Sequence, residues 1–371
     1  MCAKEIKYSA GDWLRNILDI HFHPALGAAY WIEKARLLGI DVQRDIKVLD
    51  DLMVFGPMDE KALSSRPVED FIPKKFLGEK KDFILGDTGG TTGLPKTTAY
   101  RNDEFFSIFV EFFGRIAEAQ GFPRGCNWLW VGPGGPHIIG KAARMLAVRM
   151  GSMEPFTVDF DPRWVKKMAP GSMGWERYFQ HIEDQAMHIL NTQNIGVIFS
   201  TPPVIARLAE KMTARQRAAI QGVHYGGLPL EARLYERLKK ELFPDAVHIS
   251  GYGNTLFGVC LEVEPVEGSI HYFYEAPRLV LRVVEGGTDN EAESTRLKRL
   301  EKTVGYGSWG QVVFSRLDES FLILNMFERD TAVRIPPSPA ALAHGLTADG
   351  VADPHTPASD RSEGKNQHGL Y

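Results

Sequence analysis

The stretch Asp87-Thr-Gly-Gly-Thr-Thr-Gly-Leu-Pro-Lys96 is the most informative segment of this sequence. Its glycines permit backbone dihedral angles that other residues avoid, so successive N–H groups can converge on phosphate oxygens. Threonine hydroxyls and the Lys96 ammonium group add further donors. The spacing of glycine and lysine fits neither the P-loop nor the dinucleotide-binding pattern. The segment therefore predicts a loop of another type that wraps the polyphosphate of a nucleotide.

A simpler interpretation of the same segment is a hairpin turn rich in glycine and threonine. This turn would join the apolar run Phe83-Ile84-Leu85 to a helix predicted after Asn102. The rest of the sequence is needed to decide between the two interpretations.

The composition is that of an ordinary globular protein. Of 371 residues, 44% are hydrophobic, which suffices for one large core or two joined cores. The formal net charge of -4, scattered along the chain, disfavours nucleic acid as a partner. Three cysteines without paired spacing fit a reducing compartment, and the sequence shows neither a signal peptide nor a long apolar run. We therefore expect a cytoplasmic protein that does not contact membranes.

The hydrophobic periodicity changes along the chain and predicts four regions. Residues 1–80 form a helical lead-in, since apolar residues recur at helical spacing. In residues 81–257 short apolar strands alternate with amphipathic helices, as in an α/β fold with layered, mostly parallel sheets and flanking helices. Residues 258–335 predict an antiparallel β subdomain, with the charged insertion Glu285–Thr303 as a solvated helix on its edge. Residues 336–371 are mostly polar and predict a disordered tail.

Two sets of strands follow from the short apolar runs between turn residues. The α/β region is expected to contain strands at Phe83–Gly86, Trp128–Val131, Gly196–Phe199, Gly222–Tyr225 and Val247–Ser250. The second region is expected to contain strands at Val259–Glu264, Ile270–Tyr274, Leu279–Val284, Gln311–Phe314 and Phe321–Met326.

A second polar, glycine-containing segment, Ser250-Gly-Tyr-Gly-Asn-Thr255, follows a predicted strand at the edge where an α/β sheet binds ligands. Tyr252 can stack on a base, Gly253 allows close approach to the backbone, and Thr255 can hydrogen-bond a phosphate. A tight turn with a packed tyrosine is an equally good interpretation. His224-Tyr-Gly-Gly227 also ends a short strand and predicts either a wall for adenine or an acyl group, or a turn that leads into a helix.

A third segment, Glu328-Arg-Asp-Thr-Ala-Val-Arg334, follows the predicted strand Phe321–Met326. The carboxylate of Asp330 can bind both hydroxyls of a ribose, and Arg334 can neutralise phosphate. Without context, an Asp/Arg pair more often forms a surface salt bridge.

The three segments occur in the order and approximate spacing of the adenylate-forming superfamily, which includes acyl-CoA synthetases and adenylation domains. The decapeptide resembles the phosphate loop of that superfamily. The run His271-Tyr-Phe-Tyr-Glu275 and the strand Gly310-Gln-Val-Val-Phe314 most closely resemble the phenylacetate-CoA ligase-like branch. The resemblance covers roughly residues 20 to 335.

The resemblance implies an enzyme that uses ATP and Mg²⁺ to convert a carboxylic acid to acyl-AMP, and then passes the acyl group to an acceptor. The acceptor could be CoA, a carrier-protein thiol, or an amine or hydroxyl of a small molecule. The residues implied for catalysis are Lys96, Thr255 and Arg334. The residues implied for nucleotide binding are Thr88, Gly89, Gly90, Thr91, Thr92, Gly93, Tyr252, Gly253, Asn254 and Asp330. Aromatic and glycine-rich walls favour an aryl acid and are expected at Trp130, His137, Pro202, Tyr225, Gly226 and Gly227.

The sequence departs from the superfamily at two points. Leu256 stands where the superfamily usually has a magnesium-binding glutamate, so the ion would be held by pyrophosphate and water, or by Glu262 or Glu328, with Asp87 as a further candidate. The superfamily also has a mobile C-terminal domain with a lysine that contacts the acyl carboxylate, whereas a short polar stretch follows Arg334 here. A partner subunit or a direct nucleophile is expected to replace what that domain supplies.

Other classes of function are also compatible with parts of the sequence. The acyl-protein synthetases of bacterial luminescence are similar at His-Tyr-Gly-Gly, but they need a cysteine near the C-terminus and the last cysteine here is Cys260. A sensor or scaffold that binds adenylate without catalysis is a further alternative. His21-Phe-His23 lacks the additional ligands of a metal site and predicts a structural role. A serine hydrolase is disfavoured because the Gly-x-Ser-x-Gly motif is missing.

Overall fold

The computed structural model describes residues 9–90, 94–165, 167–169, 171–287 and 291–357. It begins with short helices, as the apolar periodicity predicts. Ser9 caps the first helix by accepting a hydrogen bond from the Asp12 amide, and Gly39 ends the second in a left-handed conformation. The helices are α1 (Ala10–His21), α2 (Ala29–Leu38), α3 (Val42–Asp45) and α4 (Ala62–Ser65), and 3₁₀ turns span Leu49–Phe55, Val68–Asp70 and Lys74–Asp82.

An antiparallel hairpin follows this lead-in and carries the glycine-rich segment at its tip. Its strands are β1 (Phe83–Asp87) and β2 (Thr97–Arg101). The chain then continues directly into one helical stretch, formed by α5 (Asn102–Phe105), a π-helical segment (Phe106–Glu111) and α6 (Phe112–Ala119). Phe105, Phe109 and Phe113 recur every fourth residue and are buried, which explains why this stretch is helical.

A six-stranded sheet forms the centre of the chain, in the strand order β4-β3-β5-β6-β7-β8. The first five strands are mutually parallel, and β8 is antiparallel to β7. Strands β5 and β6 are buried at every position, as expected for parallel strands covered on both faces. The strands are β3 (Asn127–Val131), β4 (Phe156–Val158), β5 (Ile195–Ser200), β6 (Gly222–Tyr225), β7 (Val247–Asn254) and β8 (Gly258–Leu261).

Amphipathic helices connect the parallel strands. Proline opens α10 at a position where its missing N–H is not needed. These helices are α7 (Ile138–Arg149), α8 (Pro162–Val165), α9 (Met173–Thr192), α10 (Pro202–Lys211), α11 (Ala214–Ala219) and α12 (Ala232–Arg237), the last continued by a π-helical turn (Leu238–Leu242). The predicted α/β architecture is confirmed.

A second, five-stranded sheet is antiparallel throughout, with the order β10-β11-β12-β13-β9. Two helices accompany this sheet, α13 (Glu293–Leu300) and α14 (Pro339–Ala343). The strands are β9 (His271–Tyr272), β10 (Leu279–Val284), β11 (Trp309–Leu317), β12 (Leu322–Ile335) and β13 (Gly350–His355).

The predicted disordered tail is wrong over its first half. Instead of remaining disordered, residues 339–355 form α14 and β13. Strand β13 pairs on one side with β12 and on the other with β9, and Val351 and Ala352 are buried there. The composition of this region did not indicate a strand, because β13 is short and contains Asp353 and Pro354. Residues 358–371 lie outside the described part of the chain.

The helical lead-in packs on the second sheet as part of the same apolar core. The indole N–H of Trp13 donates to the Leu317 carbonyl, and that of Trp31 donates to the Leu322 carbonyl, each at 2.9 Å. These bonds hold α1 and α2 against the turn between β11 and β12. No helix in the described ranges combines the length and apolar character needed to cross a bilayer.

His21 has the structural role that its sequence context predicts. Its side chain is buried at the end of α1, and its Nε2 lies 2.8 Å from the Asp318 carbonyl oxygen. Burial lowers the pKa of His21 to about 4. The unfolded chain therefore takes up a proton on this side chain before the folded protein does, so stability is lost as the pH falls from about 6.5 toward 4.

We predict that His21→Gln flattens the pH dependence of unfolding over this window. In the wild type, protonation of His21 in the unfolded chain lowers the free energy of unfolding by about 3 kcal/mol as the pH falls from 6.5 to about 4. This value follows because one pKa unit corresponds to ~1.4 kcal/mol. Urea unfolding at a series of pH values measures this pH dependence of the free energy of unfolding. His188→Gln, on the exposed face of α9, is the matched control and should retain the wild-type slope. An unchanged slope in His21→Gln would contradict this account.

Candidate functional site

A large cavity of about 1240 Å³ lies at the carboxyl ends of the parallel strands. Open α/β sheets bind ligands at this edge, because loops that follow neighbouring strands converge there. Four structural groups line a large part of the cavity: the hairpin loop, the segments at the ends of β6 and β7, the middle of β12, and the end of β13. Three of these groups contain segments that the sequence singled out.

The glycine-rich segment is both a hairpin loop and a wall of the cavity, so the two interpretations of its sequence are compatible. The Thr88 amide donates to the Lys96 carbonyl at 3.0 Å, and the Lys96 amide donates to the Thr88 hydroxyl at 2.9 Å. These bonds close the loop at its base. Thr88, Gly89, Gly90 and Lys96 line the cavity. The predicted residues Thr91, Thr92 and Gly93 lie outside the described residues.

The carboxylate of Asp87, which the sequence offers as a magnesium ligand, is bonded to neighbouring side chains at the base of the loop. It accepts a hydrogen bond from the Thr97 hydroxyl at 2.9 Å and pairs with Arg163 at 3.2 Å. It does not line the cavity. These bonds support the hairpin.

The last residues of β7 and the turn to β8, together called the loop after β7, form a tight segment that Asn254 organises. The Asn254 side-chain oxygen accepts from the amides of Leu256 and Phe257, and its amide group donates to Glu328 at 2.6 Å. The predicted site residues Tyr252, Gly253, Asn254 and Thr255 all line the cavity. The side chain of Leu256 is 2% exposed and packs in the main core, so it supplies no ligand to a metal ion.

Asp330 faces the same part of the cavity from β12. One of its carboxylate oxygens accepts from the Thr356 hydroxyl at 2.7 Å, and the other lies 3.4 Å from the Tyr252 hydroxyl. Glu328, two residues earlier in β12, also lines the cavity. Burial and the neighbouring Asp330 charge raise the pKa of Glu328 to about 8. A carboxylate therefore lies beside the ring of Tyr252, where the sequence predicts a ribose beside a base.

Arg334 does not line the cavity, which contradicts its predicted contact with phosphate. Its guanidinium pairs with Asp349 at 2.6 Å, donates to the Val304 carbonyl at 2.8 Å and lies over the Tyr306 ring. All three of its side-chain nitrogens are used in these bonds to protein groups. Arg334 thus forms a salt bridge, but with Asp349 rather than with the Asp330 of its own segment.

The apolar part of the cavity lies among the segments that follow β3, β5 and β6. His137, Tyr225, Gly226 and Gly227 line the cavity as predicted. Trp130 and Pro202 do not, and these two predictions are wrong. The Trp130 ring lies behind Phe199, with ring centroids 4.5 Å apart. The prediction for Pro202 is off by one residue, since Pro203 lines the cavity.

Several aromatic residues that line the cavity were missed by sequence reasoning. They are Phe109, Phe113 and Phe199, whereas His224 belongs to the segment already predicted as a wall. The spacing of four between Phe109 and Phe113 indicates a shared helix face, but the sequence does not show what that face covers. The His224 ring lies 4.6 Å from the Phe113 ring and 4.2 Å from the Phe199 ring. Burial lowers its pKa to about 4, so this ring is neutral at pH 7.

Charged residues from distant segments complete the opposite end of the cavity. Glu60, Arg296 and Arg299 line it together with Lys96 and Glu328. The two arginines were not predicted to line a site, because the insertion that contains them was expected to be a solvated helix. The structure confirms the helix, as α13, but one side of it faces the cavity.

Of the two carboxylates considered as substitutes for the magnesium-binding glutamate, only Glu328 is suitably placed. Glu262 is buried, accepts from the Tyr235 hydroxyl and the Ser250 amide, and does not line the cavity. Within the described ranges, no group of three or more His, Cys, Asp or Glu residues could hold a metal. One carboxylate fits the way Mg²⁺ binds with nucleotides, since phosphate and water supply most of its ligands.

We predict that Gly253→Ala disrupts the loop after β7. A Cβ atom at this position would lie 2.1 Å from the Gly258 carbonyl oxygen and 2.9 Å from the Val259 Cα, and neither backbone atom can move freely. We expect the free energy of unfolding to fall by about 1–3 kcal/mol, as measured by urea denaturation. Gly174→Ala in α9, where a Cβ meets open space, should be neutral or slightly stabilising. Equal stability of Gly253→Ala and wild type would argue against this close packing.

Comparisons with known proteins support the architecture. No protein-family model and no curated protein match the sequence. Among solved structures, 2-hydroxyisobutyryl-CoA ligase in complex with 2-HIB-AMP and CoA has a TM-score of 0.66 and 16% identity, over 94% of this chain and 67% of that chain. An open conformation of the ligase with the same ligands has a TM-score of 0.64 and 15% identity, over 91% and 71%.

The ligase in its postadenylation state with 2-HIB-AMP gives a TM-score of 0.64 at 15% identity, over 92% of this chain and 66% of that chain. This chain thus spans about two thirds of the length of these ligases. At such identities the similarity concerns the fold, and nearly all of this chain takes part in it. The chain has the fold of the adenylate-forming enzymes.

Proposed function

We propose that this protein activates a carboxylic acid with ATP, forming acyl-AMP and pyrophosphate. One observation carries the proposal. A single cavity joins a closed glycine-rich loop with its lysine, a tyrosine beside a carboxylate, and an apolar pocket. In that order, these parts suit the phosphates of ATP, its nucleoside and the organic group of the carboxylic acid.

The reaction needs charge control and positioning more than acid–base catalysis. A carboxylate oxygen of the substrate attacks the α-phosphorus of ATP, and the bond from that phosphorus to the oxygen bridging to the β-phosphate breaks. Pyrophosphate leaves with the electron pair, and no proton has to move. Lys96 and the loop amides draw negative charge away from the transition state.

The nucleoside would be held by the loop after β7 and by β12. Tyr252 offers its ring to adenine, and Asp330 lies next to it with two oxygens that can accept the ribose hydroxyls. Glu328 would hold a magnesium ion together with phosphate oxygens, and the ion would supply further positive charge to the phosphates. Thr255 lies between the hairpin and this loop, with its hydroxyl 3.4 Å from the Asp87 carbonyl.

For the acid, we propose an aryl carboxylic acid. The pocket is lined by Phe109, Phe113, Phe199 and the neutral His224 ring, which favour a flat apolar group over a charged one. A fatty acid, as in acyl-protein synthetases, or a short branched acid, as bound by the similar ligase structures, are the alternatives.

For the acyl acceptor, we propose CoA as the first candidate, since the similar ligase structures contain it. A carrier-protein thiol and a small-molecule amine or hydroxyl are the alternatives. In each case the acceptor attacks the acyl carbon and AMP leaves.

The second candidate function is an adenylate-binding sensor or scaffold. The burial of Leu256 favours a sensor or scaffold. Leu256 stands at the usual position of the magnesium ligand, but its side chain is part of the core. A sensor would bind ATP or AMP without producing pyrophosphate.

We expect pyrophosphate release with ATP and Mg²⁺ that depends on an aryl acid, measured by a coupled assay across aryl, fatty and short branched acids. Lys96→Ala should lower the rate by about 10²-fold, because the leaving phosphates lose a cation. Asp330→Asn should weaken the binding of both ATP and AMP.

Lys81→Ala is the matched control for Lys96→Ala, since Lys81 is exposed just before the hairpin and does not line the cavity. It should leave the rate unchanged. Binding of nucleotide without pyrophosphate release for any acid would contradict the enzyme and favour the sensor.

A further inference from the structure

The charged insertion Glu285–Thr303 begins where β10 ends, at the edge of the second sheet, and its other end lies at the same edge. Val284, at its start, pairs with Thr303 near its end, and the Val304 amide donates to the Val283 carbonyl at 2.9 Å. The insertion therefore leaves the sheet and returns to it at one point. Between these ends lies α13, whose position is set by its own side chains.

Arg299 fixes the orientation of α13 on the sheet. It is 6% exposed, pairs with Glu291 at 2.6 Å and donates twice to the Glu285 carbonyl. It also donates to Gln311 of β11, whose own amide group donates to the Glu328 carbonyl. The next residue, Leu300, is fully buried. With these two side chains held inside, the helix cannot rotate about its axis.

This orientation places Arg296, one turn earlier, at the charged end of the cavity. Its guanidinium lies over the Phe327 ring, 4.7 Å from the centroid, and 3.6 Å from one carboxylate oxygen of Glu60. The other carboxylate oxygen of Glu60 lies 3.0 Å from the Lys96 ammonium group. Two cations from segments 200 residues apart in sequence thus converge on one carboxylate beside the phosphate loop.

We propose that Arg296 binds the β- and γ-phosphates of ATP together with Lys96, and that these phosphates replace Glu60 as the partner of both cations. The proposal rests on the proposed function, since it assumes that the loop binds ATP. A polyphosphate carries more negative charge than one carboxylate, and a guanidinium can donate two parallel hydrogen bonds to phosphate oxygens. Arg296 then stabilises the pyrophosphate as it leaves. The insertion supplies a phosphate-binding residue from within this chain.

A purely structural role is the competing explanation. In that case Arg296 and Lys96 would serve to hold Glu60, and the three side chains would tie α13 to the segment before α4. The two explanations differ in what removal of the Glu60 charge does. If Glu60 competes with phosphate, its neutralisation helps ATP to bind, whereas if Glu60 organises the site, its neutralisation harms binding.

The test is calorimetric titration of the full chain with ATP and with AMP, in the presence of Mg²⁺. Arg296→Gln should raise the Kd of ATP about tenfold, equivalent to ~1.4 kcal/mol, because the β- and γ-phosphates lose a partner. The Kd of AMP, which lacks these phosphates, should stay within about twofold, and this also shows that the variant is folded. Arg296→Lys should fall between wild type and Arg296→Gln.

Two further variants separate the explanations. Lys298→Gln removes one positive charge from the exposed side of the same helix and should leave both Kd values unchanged. Glu60→Gln should bind ATP as tightly as wild type or more tightly. The proposal is overturned if Arg296→Gln binds ATP normally, if it weakens ATP and AMP equally, or if Glu60→Gln weakens ATP as Arg296→Gln does. If wild type binds neither nucleotide, the proposed function fails and the role of Arg296 fails with it.

Discussion

The buried guanidinium of Arg316 is the interaction on which the rest of the site depends. It is fully buried and donates to the Thr98 hydroxyl, the Ala99 carbonyl and the Leu256 carbonyl, at 2.7 to 3.2 Å. It also pairs with Asp318, which Arg278 holds from the other side. Burial disfavours the Asp318 carboxylate, but the two guanidinium groups keep its pKa below the ordinary value. A charge this deep is tolerated because each of the three guanidinium nitrogens has a hydrogen-bond partner.

This network matters because the proposed nucleotide site is assembled from separate sheets. The glycine-rich loop belongs to the hairpin β1–β2, Tyr252 lies at the end of β7, and Asp330 belongs to β12. Arg316 contacts the hairpin and the loop after β7 from its own position in β11, and the Tyr100 hydroxyl adds a bond from β2 to the Thr255 carbonyl. One buried cluster therefore fixes the hairpin and the loop after β7 relative to β11.

The two ends of the cavity differ in character, and this division suits a reaction that joins an acid to a nucleotide. Lys96, Arg296 and Glu60 make one end strongly charged. Aromatic rings and a histidine kept neutral by burial make the other end apolar. The reacting carboxylate would lie at the boundary, where the charged end supplies positive groups and the apolar end excludes water and so strengthens their effect.

The sequence by itself determined the elements whose signal is local. The glycine-rich hairpin loop, the loop after β7 and the carboxylate of Asp330 each come soon after a short apolar run in the sequence, and the alternation of such runs with amphipathic helices predicted the α/β core. Only the tertiary structure decided which side chains reach the cavity. Trp130 and Arg334 point away from it and α13 turns Arg296 toward it, because side-chain direction depends on which strand or loop lies next to the residue. Strand β13 likewise depends on partners in β9 and β12, some 20 to 80 residues earlier, and such long-range pairing leaves no local pattern in the sequence.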